Sequence, residues 1–211
     1  MYLAFDNNIN DNSGNGNNGT LLNLGNISYV TGKVGNAIQF KGTDAPAQVK
    51  IANNSTIQFN DKLTVAYWLR IDNSKGQEGN YGHHVDPGIQ SVFAKDSDNT
   101  GLFNILYMNS STSGNLGFHN TSSVSVSITK SQWIHLSFVI DHNKIRKYVN
   151  GELAEEKTIP PANFTISNTK DLYIGYQGNG WYPLYGTLDD FRMYKRALTD
   201  IDILGLYTLG S

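Results

Sequence analysis

Gly186 to Leu198 reads G-T-L-D-D-F-R-M-Y-K-R-A-L. Leu188, Phe191, Met193 and Tyr194 give it the look of a β-strand, yet aspartate is disfavoured in strands. Asp189 and Asp190 therefore need a reason to be there, as a catalytic pair, as metal ligands or as scaffold. In a regular strand, successive side chains point to opposite faces. That alternation puts Asp189 with Phe191 and Met193, and Asp190 with Arg192 and Tyr194. Carboxylates that cooperate in one reaction must project together, so the catalytic-pair reading falls. Asp189 is left as the inward anchor and Asp190 as an outward ion-pair partner for Arg192.

The rest of the chain repeats this grammar. Short alternating segments run over Ala37–Phe40, Ala47–Ile51, Thr64–Ile71, Ser91–Ala94, Leu102–Met108, Asn115–His119, Ile134–Asp141, Ile145–Val149, Leu172–Tyr176 and Thr187–Tyr194, each bounded by turn-forming residues. Val149-Asn150-Gly151-Glu152 places Asn-Gly between two strands, the signal of a type I′ hairpin. The only helical pattern is terminal, with Thr199 as N-cap, Asp202 three residues on, and Ile203, Leu204, Leu206 and Tyr207 behind them. More than ten strands without a helical layer imply an all-β, two-sheet antiparallel sandwich or jelly roll with a short C-terminal helix. No repeat or linker divides residues 1–211, so one domain is expected.

Composition agrees and narrows the partners. Of 211 residues, 25 are asparagine, 21 glycine and 12 tyrosine, against 5 prolines, a mixture that suits strands joined by turns. The net charge of -2 favours neither nucleic acid nor an anionic membrane. No apolar run is long enough for a membrane span. The lack of cysteine excludes a disulfide scaffold and thiolate zinc sites.

Alternation also assigns faces. In L-T-V-A-Y-W-L-R, Leu63, Val65, Tyr67 and Leu69 share the core face, leaving Trp68 and Arg70 opposite. In W-I-H-L-S-F-V-I, Ile134, Leu136, Phe138 and Ile140 are the core set, leaving Trp133, His135 and Ser137 opposite. Asp11, Ser13 and Asn15, followed by Gly16, alternate oxygen-bearing side chains as a calcium loop does, although no glutamate closes the loop where one would be needed. The other reading of that loop is an Asx-turn with no ion.

Four stretches in order resemble the laminin G-like, concanavalin A-like jelly-roll family. They are the opening Y-L-A-F-D-N-N-I-N-D-N-S-G-N-G-N-N-G, then G-K-V-G-N-A-I-Q-F-K-G, then S-Q-W-I-H-L-S-F-V-I-D-H-N-K-I-R-K-Y-V-N-G, and the closing strand with its capped helix. The resemblance implies the fold strongly and function weakly, because the fold hosts lectins, carbohydrate-binding modules, adhesion domains and structural domains. It also implies one structural calcium ion (Ca2+) between the N-terminal segment and the closing strand. Asp6 and Asp189 would be its ligands, joined by Asp11 and Asn15 of the loop. The chain departs from the family after Ile71, where Asp72 to Gly88 fills roughly 17 residues in place of a short connection. Insertions of that length are usually functional or disordered.

Glycosidases resembling this fold carry a Glu-x-Asp-x-Glu strand that is missing here, and retaining hydrolysis needs two carboxyls about 5–5.5 Å apart. Glu155-Glu156 reads as a solvated loop after the hairpin, and no nucleophile elbow or phosphate loop is present. His83, His84 and Asp86 read as polar loop residues. Sugar sites need an aromatic platform beside planar polar groups, and two groups qualify. One is the sheet face bearing Trp68, Arg70, Trp133 and His135. The other is loop-borne, with Tyr81, His83 and His84 in the insertion and Tyr176, Gln177, Asn179, Trp181, Tyr182 and Tyr185 in Q-G-N-G-W-Y-P-L-Y. The expectation is a non-catalytic, calcium-stabilised glycan- or polysaccharide-binding module of a larger secreted, surface or phage-particle protein. The alternative is a structural or protein-binding domain; a hydrolase is the third and least favoured reading.

Overall fold

The computed structural model describes residues 1–23, 26–41, 47–72, 89–95, 102–108, 113–118, 124–160, 166–176 and 182–210. Among these, two antiparallel sheets stack face to face. The first runs in the order β13 (Glu152–Thr158), β12 (Lys144–Val149), β11 (Trp133–Asp141), β6 (Lys62–Ile71), β15 (Tyr185–Tyr194), β4 (Asn36–Lys41) and β3 (Ile27–Thr31), with β1 (Tyr2–Leu3) also paired to β15. The second runs β10 (Val124–Ser127), β9 (Ser113–Phe118), β8 (Leu102–Met108), β7 (Ile89–Lys95), β14 (Leu172–Ile174), β5 (Gln48–Ile51) and β2 (Thr20–Leu22). One helix, α1 (Asp200–Leu209), follows β15. The all-β sandwich with a C-terminal helix is the architecture expected from the alternation.

The core is the inward set of both sheets. Leu63, Val65, Tyr67, Leu69, Leu136, Phe138, Ile140, Phe191, Phe93 and Ile174 are fully or almost fully buried. At its centre the Tyr67 and Phe191 rings stack at 5.8 Å, and Phe93 meets Phe191 edge-on at 5.5 Å. Such pairs add about 0.5–1.5 kcal/mol beyond area burial.

Local signals hold where local chemistry dominates. Asn150 and Gly151 adopt φ of 50° and 82°, the left-handed pair that a type I′ hairpin requires. Thr199 accepts from the Asp202 amide while Asp202 accepts from the Thr199 amide, closing the capping box. Glu155 and Glu156 depart from expectation: they lie within β13, opposite Lys147 and Arg146, not in a loop. Each carboxylate pairs with a lysine at 2.9 Å, Glu155 with Lys147 and Glu156 with Lys144.

The closing strand corrects the parity reading. Leu188 lies opposite Leu69 and Asp189 opposite Trp68, but the register slips before Arg192, which faces Ala66. Asp190 sits at the slip with φ 51°, a left-handed conformation that aspartate tolerates better than most residues. The bulge absorbs one residue, so Asp189 does not share a face with Phe191. Both acids lie on the outer side of the sheet. Asp190 accepts from Arg192 at 3.1 Å and from the Tyr2 hydroxyl at 2.5 Å, an ion pair within one strand.

Candidate functional site

The insertion and the aromatic loop leave the sandwich at one place. The Asp72 amide donates to the Tyr185 carbonyl at 3.2 Å, and the Ser91 amide to the Tyr182 carbonyl at 2.8 Å. Tyr185 in turn donates its amide to the buried Gln90 side chain at 2.8 Å. Leu184 donates to the Gly175 carbonyl, and Gly175 to the Val92 carbonyl, at 2.9 and 2.8 Å. Gly175 has φ 86°, and a Cβ there would collide with the Phe40 ring. The residues bordering 73–88 and those bordering 177–181 are thus tied into one hydrogen-bonded base. Tyr176, Tyr182 and Tyr185 on that base are half-buried, and burial pushes the Tyr176 hydroxyl pKa up. Tyr81, His83, His84, Gln177, Asn179 and Trp181 lie outside the described residues.

The outer face of the first sheet is divided in two. Trp68 is 3 % and His135 3 % exposed, because α1 lies over them. Tyr207 packs 5.6 Å from the Trp68 ring and 6.0 Å from His135. A Cβ on Gly210 would sit 2.5 Å from the indole nitrogen, so the helix end rests directly on the ring. The sequence placed Trp68 among ligand contacts; the structure covers it with Tyr207 of α1, whose Ile203 is buried against Val139, Tyr148 and Leu198 on the same side. Burial, with Arg192 nearby, pulls the His135 pKa down to about 4, and its Nδ1 has no hydrogen-bond partner among the described residues.

Arg70 and Trp133, both half-buried, occupy the half away from α1, beside the loop base. Trp133, Arg70, Thr187, Gln39 and Ser28 stand in register across β11, β6, β15, β4 and β3. The row is hydrogen-bonded along its length. Ser28 meets Gln39 at 3.1 Å, and Gln39 and Thr187 both donate to Asp72, at 2.8 and 2.9 Å. Arg70 donates to Asp72 at 3.0 Å and to Thr187 at 3.1 Å, and its guanidinium lies 5.3 Å from the Trp133 ring centre. Sequence reading missed Gln39, Asp72 and Thr187, although the outward parity of Gln39 in N-A-I-Q-F-K was available.

The four residues expected to share calcium fall at two turns, Asp11 and Asn15 at one and Asp6 and Asp189 at the other. The Asp11 carboxylate accepts from the amides of Tyr2, Ser13 and Asn17 and from the Asn17 side chain, at 2.8, 3.0, 3.0 and 2.7 Å. These bonds hold its pKa well below the usual carboxylate range and point donors where a cation would need lone pairs. Asn15 donates its side-chain amide to Ser13. Asp6 accepts from the Asn36 amide at 2.7 Å, and Asp189 from the amides of Lys33 and Val34 at 2.8 and 2.9 Å. Those acids clamp the turn between β3 and β4, apart from the Asp11 loop. Among the described residues no group of three or more His, Asp or Glu side chains could hold a metal. The bonds to Asp11 make the loop an Asx-type turn.

Nor do the paired acids form a hydrolytic centre. Asp189 is fully buried and Asp190 is 8 % exposed, leaving no space for a sugar between them. Burial raises the Asp189 pKa to about 7, opposed by the amides of Val34 and Lys33, and its Oδ1 lacks a partner among the described residues.

No helix among the described residues is long and apolar enough to cross a membrane. Comparison with known proteins adds four relatives. Domain 4 of an extracellular GH43 arabinanase from Geobacillus stearothermophilus, solved in complex with arabinotriose, superposes with a TM-score of 0.72 at 24% identity over 98% of this chain and 96% of that one. The mosquitocidal protein 1 of Paraclostridium bifermentans is 23% identical over 91% of this chain, and its binding domain superposes with a TM-score of 0.69. A botulinum neurotoxin DC binding domain in complex with SialylT superposes at 0.68 over 50% of its length. At these identities the structural likenesses establish the fold. The chain spans 16% of the mosquitocidal protein and 2% of human usherin, a second relative that is 34% identical over 88 residues. The family profile that matches residues 42–204, more than half of the sequence, settles the membership: this chain belongs to the laminin G-like family of the concanavalin A-like lectin/glucanases superfamily.

Proposed function

We propose that the chain is a non-catalytic carbohydrate-binding module of a larger secreted or cell-surface protein, bacterial or carried on a phage particle. The observation that carries this reading is the hydrogen-bonded base joining Asp72, Gln90, Ser91, Tyr182 and Tyr185. The residues that border the insertion and the glycine-framed aromatic loop lie together on that base, beside the Arg70–Trp133 row. A sugar stacks there on Trp181 or Tyr182, while Gln177, Asn179, Tyr81 and His83 read its hydroxyls and Arg70 lies at the margin. The arabinotriose and SialylT complexes of the structural neighbours support a saccharide as the ligand class. Affinity in the millimolar-to-micromolar range suits a site of few polar contacts.

A glycan array with the wild type and Trp181→Ala tests this. Binding that Trp181→Ala abolishes supports the placement, and binding that survives the substitution removes it. A second reading, a protein-docking module, draws on the exposed Ile201, Leu204 and Leu209 of α1 beside exposed Leu153 of β13. Silence across the array would favour that reading.

A further inference from the structure

At the opposite end of the sandwich lies a groove of about 680 Å³, within the range of ligand-sized clefts. It opens between the Asp11 loop, the turn at Ser55–Ile57 and the end of β15. Tyr185 and Tyr194 are the two ends of β15, so at about 3.3 Å per residue the groove is roughly 30 Å from the loop base.

The lining is unlike the rest of this weakly acidic chain. Tyr2, Ser13, Asn15, Tyr194, Lys195 and Arg196 contribute to it, and no carboxylate is among the described residues that line it. Arg196 is mostly exposed, and its contact with Asp202 is a loose 3.5 Å. Asp202 is also occupied with the Thr199 amide at the helix cap, and exposed pairs of this kind contribute little. An incoming carboxylate would offer Arg196 the two-pronged hydrogen bonding a guanidinium prefers. Lys195 uses a donor on the Ser55 carbonyl at 2.9 Å, which fixes its ammonium at the groove wall. The Tyr194 ring, with the Arg196 guanidinium 6.0 Å from its centre, supplies an aromatic face next to the charge.

The walls are set in advance. Asp11 holds the loop that carries Ser13 and Asn15. Asn54 caps the Ser55 turn by accepting from the Thr56 amide at 2.8 Å. Thr64 pins the chain beyond the groove, donating to the Arg196 carbonyl and accepting from the Leu198 amide at 2.9 and 3.0 Å. A preformed site loses little ordering entropy on binding.

From this arrangement we infer a second binding site, one for acidic saccharides. Arg196 and Lys195 hold the sugar carboxylate, Tyr194 carries the apolar face of the ring, and Asn15 and Ser13 meet the hydroxyls. The site stands independently of the loop-end site.

Titration calorimetry of the full chain tests it with trigalacturonate and a hyaluronan tetrasaccharide, each beside its carboxyl-reduced counterpart, and with inorganic phosphate. At least one acidic saccharide should bind more tightly than ~10 mM, at least tenfold better than its reduced form, and more weakly as salt rises. Arg196→Ala should weaken it about tenfold with the melting temperature within a few degrees of wild type. Tyr194→Ala should weaken it about as much with a lower melting temperature, because that ring also packs against Val139, Tyr148, Leu198 and Ile203, while Trp181→Ala leaves it unchanged. Failure of both acidic saccharides to bind, equal binding of a reduced form, or undiminished binding by folded Arg196→Ala would overturn the site. Phosphate displacing the saccharide at equal concentration would do the same, because it would mean a bare anion site. Loss with Trp181→Ala alone would return the binding to the loop end.

Discussion

Trp68 and Trp133 lie on facing strands, on the same outer side of the same sheet, two residues of strand apart, yet they have opposite fates. Trp68 is pressed under α1 with His135 and Tyr207, whereas Trp133 stays half-buried at the head of an open polar row. The strand pattern treats them alike, because alternation reports which face a side chain takes and not what later covers that face. The position of the helix separates an aromatic that it buries from one that it leaves half-buried.

Removing the covered ring should therefore have the largest effect. Trp68→Ala is expected to cost about 3–5 kcal/mol of stability, in line with large-to-small core changes, as read by denaturant unfolding. Glycan binding per folded molecule should be unaltered; lost binding in a folded variant would break the division of the face.

The covered half should also govern how stability responds to pH. Asp189, opposite Trp68, has its folded pKa raised from 3.8 to about 7 by burial. Its contribution is thus fully present below pH 3.8 and disappears as pH rises through about 7. Asp189→Asn should flatten a loss on the order of 3 kcal/mol between pH 4 and pH 8. His135 acts in the other direction. Its folded pKa is lowered from 6.5 to about 4, so its contribution is present above pH 6.5 and is lost as pH falls through 4. His135→Phe should remove about 2 kcal/mol of acid destabilisation between pH 7 and pH 5. The two contributions oppose each other and nearly cancel in the wild type between pH 4 and pH 8, so the single variants decide. Asp189→Asn and His135→Phe profiles that both run parallel to the wild type would contradict the assignments.

On the open half the order reverses. Trp133→Ala should change stability by only ~1 kcal/mol, because its ring is half-buried. The same substitution should weaken glycan binding several-fold if the row borders the site. The smallest effect expected is that of EDTA, since the Asp11 carboxylate is already saturated with N–H donors. The melting temperature should stay where it was, and a clear drop would show an ion stabilising the fold.

These contrasts also explain what could be read from the sequence. The Asn150-Gly151 turn, the Thr199 cap and the core alternation of β6 and β11 were legible because each depends on neighbours a few residues away. Tyr2–Leu3, Thr20–Leu22 and Ile27–Thr31 were not, since strands so short are defined by their partners. The bulge at Asp190 left no periodic trace; one residue in a left-handed conformation reversed the side on which Asp189 lies. Calcium was suggested by alternating oxygens at Asp11, Ser13 and Asn15, but whether a carboxylate faces an ion or backbone amides depends on how the loop curls. The loop-end aromatics were nominated from their glycine-rich setting, while the anchoring role of Gln90, distant in sequence, was invisible.

The pairing of β1 with β15 has a consequence for how the protein is made. Tyr2 lies opposite Arg192 and Leu3 opposite Phe191, contacts spanning nearly the whole chain, and the helix that shields Trp68 comes later still. During synthesis the central strand β6 must wait for its neighbour β15, with one edge unpaired and its outer indole bare to solvent. Folds dominated by such distant pairings form slowly, and exposed edges of this kind invite association between nascent chains. Synthesis of β15 is thus the step that completes the first sheet, so a chain cut short after β14 would be an aggregation-prone half-sandwich.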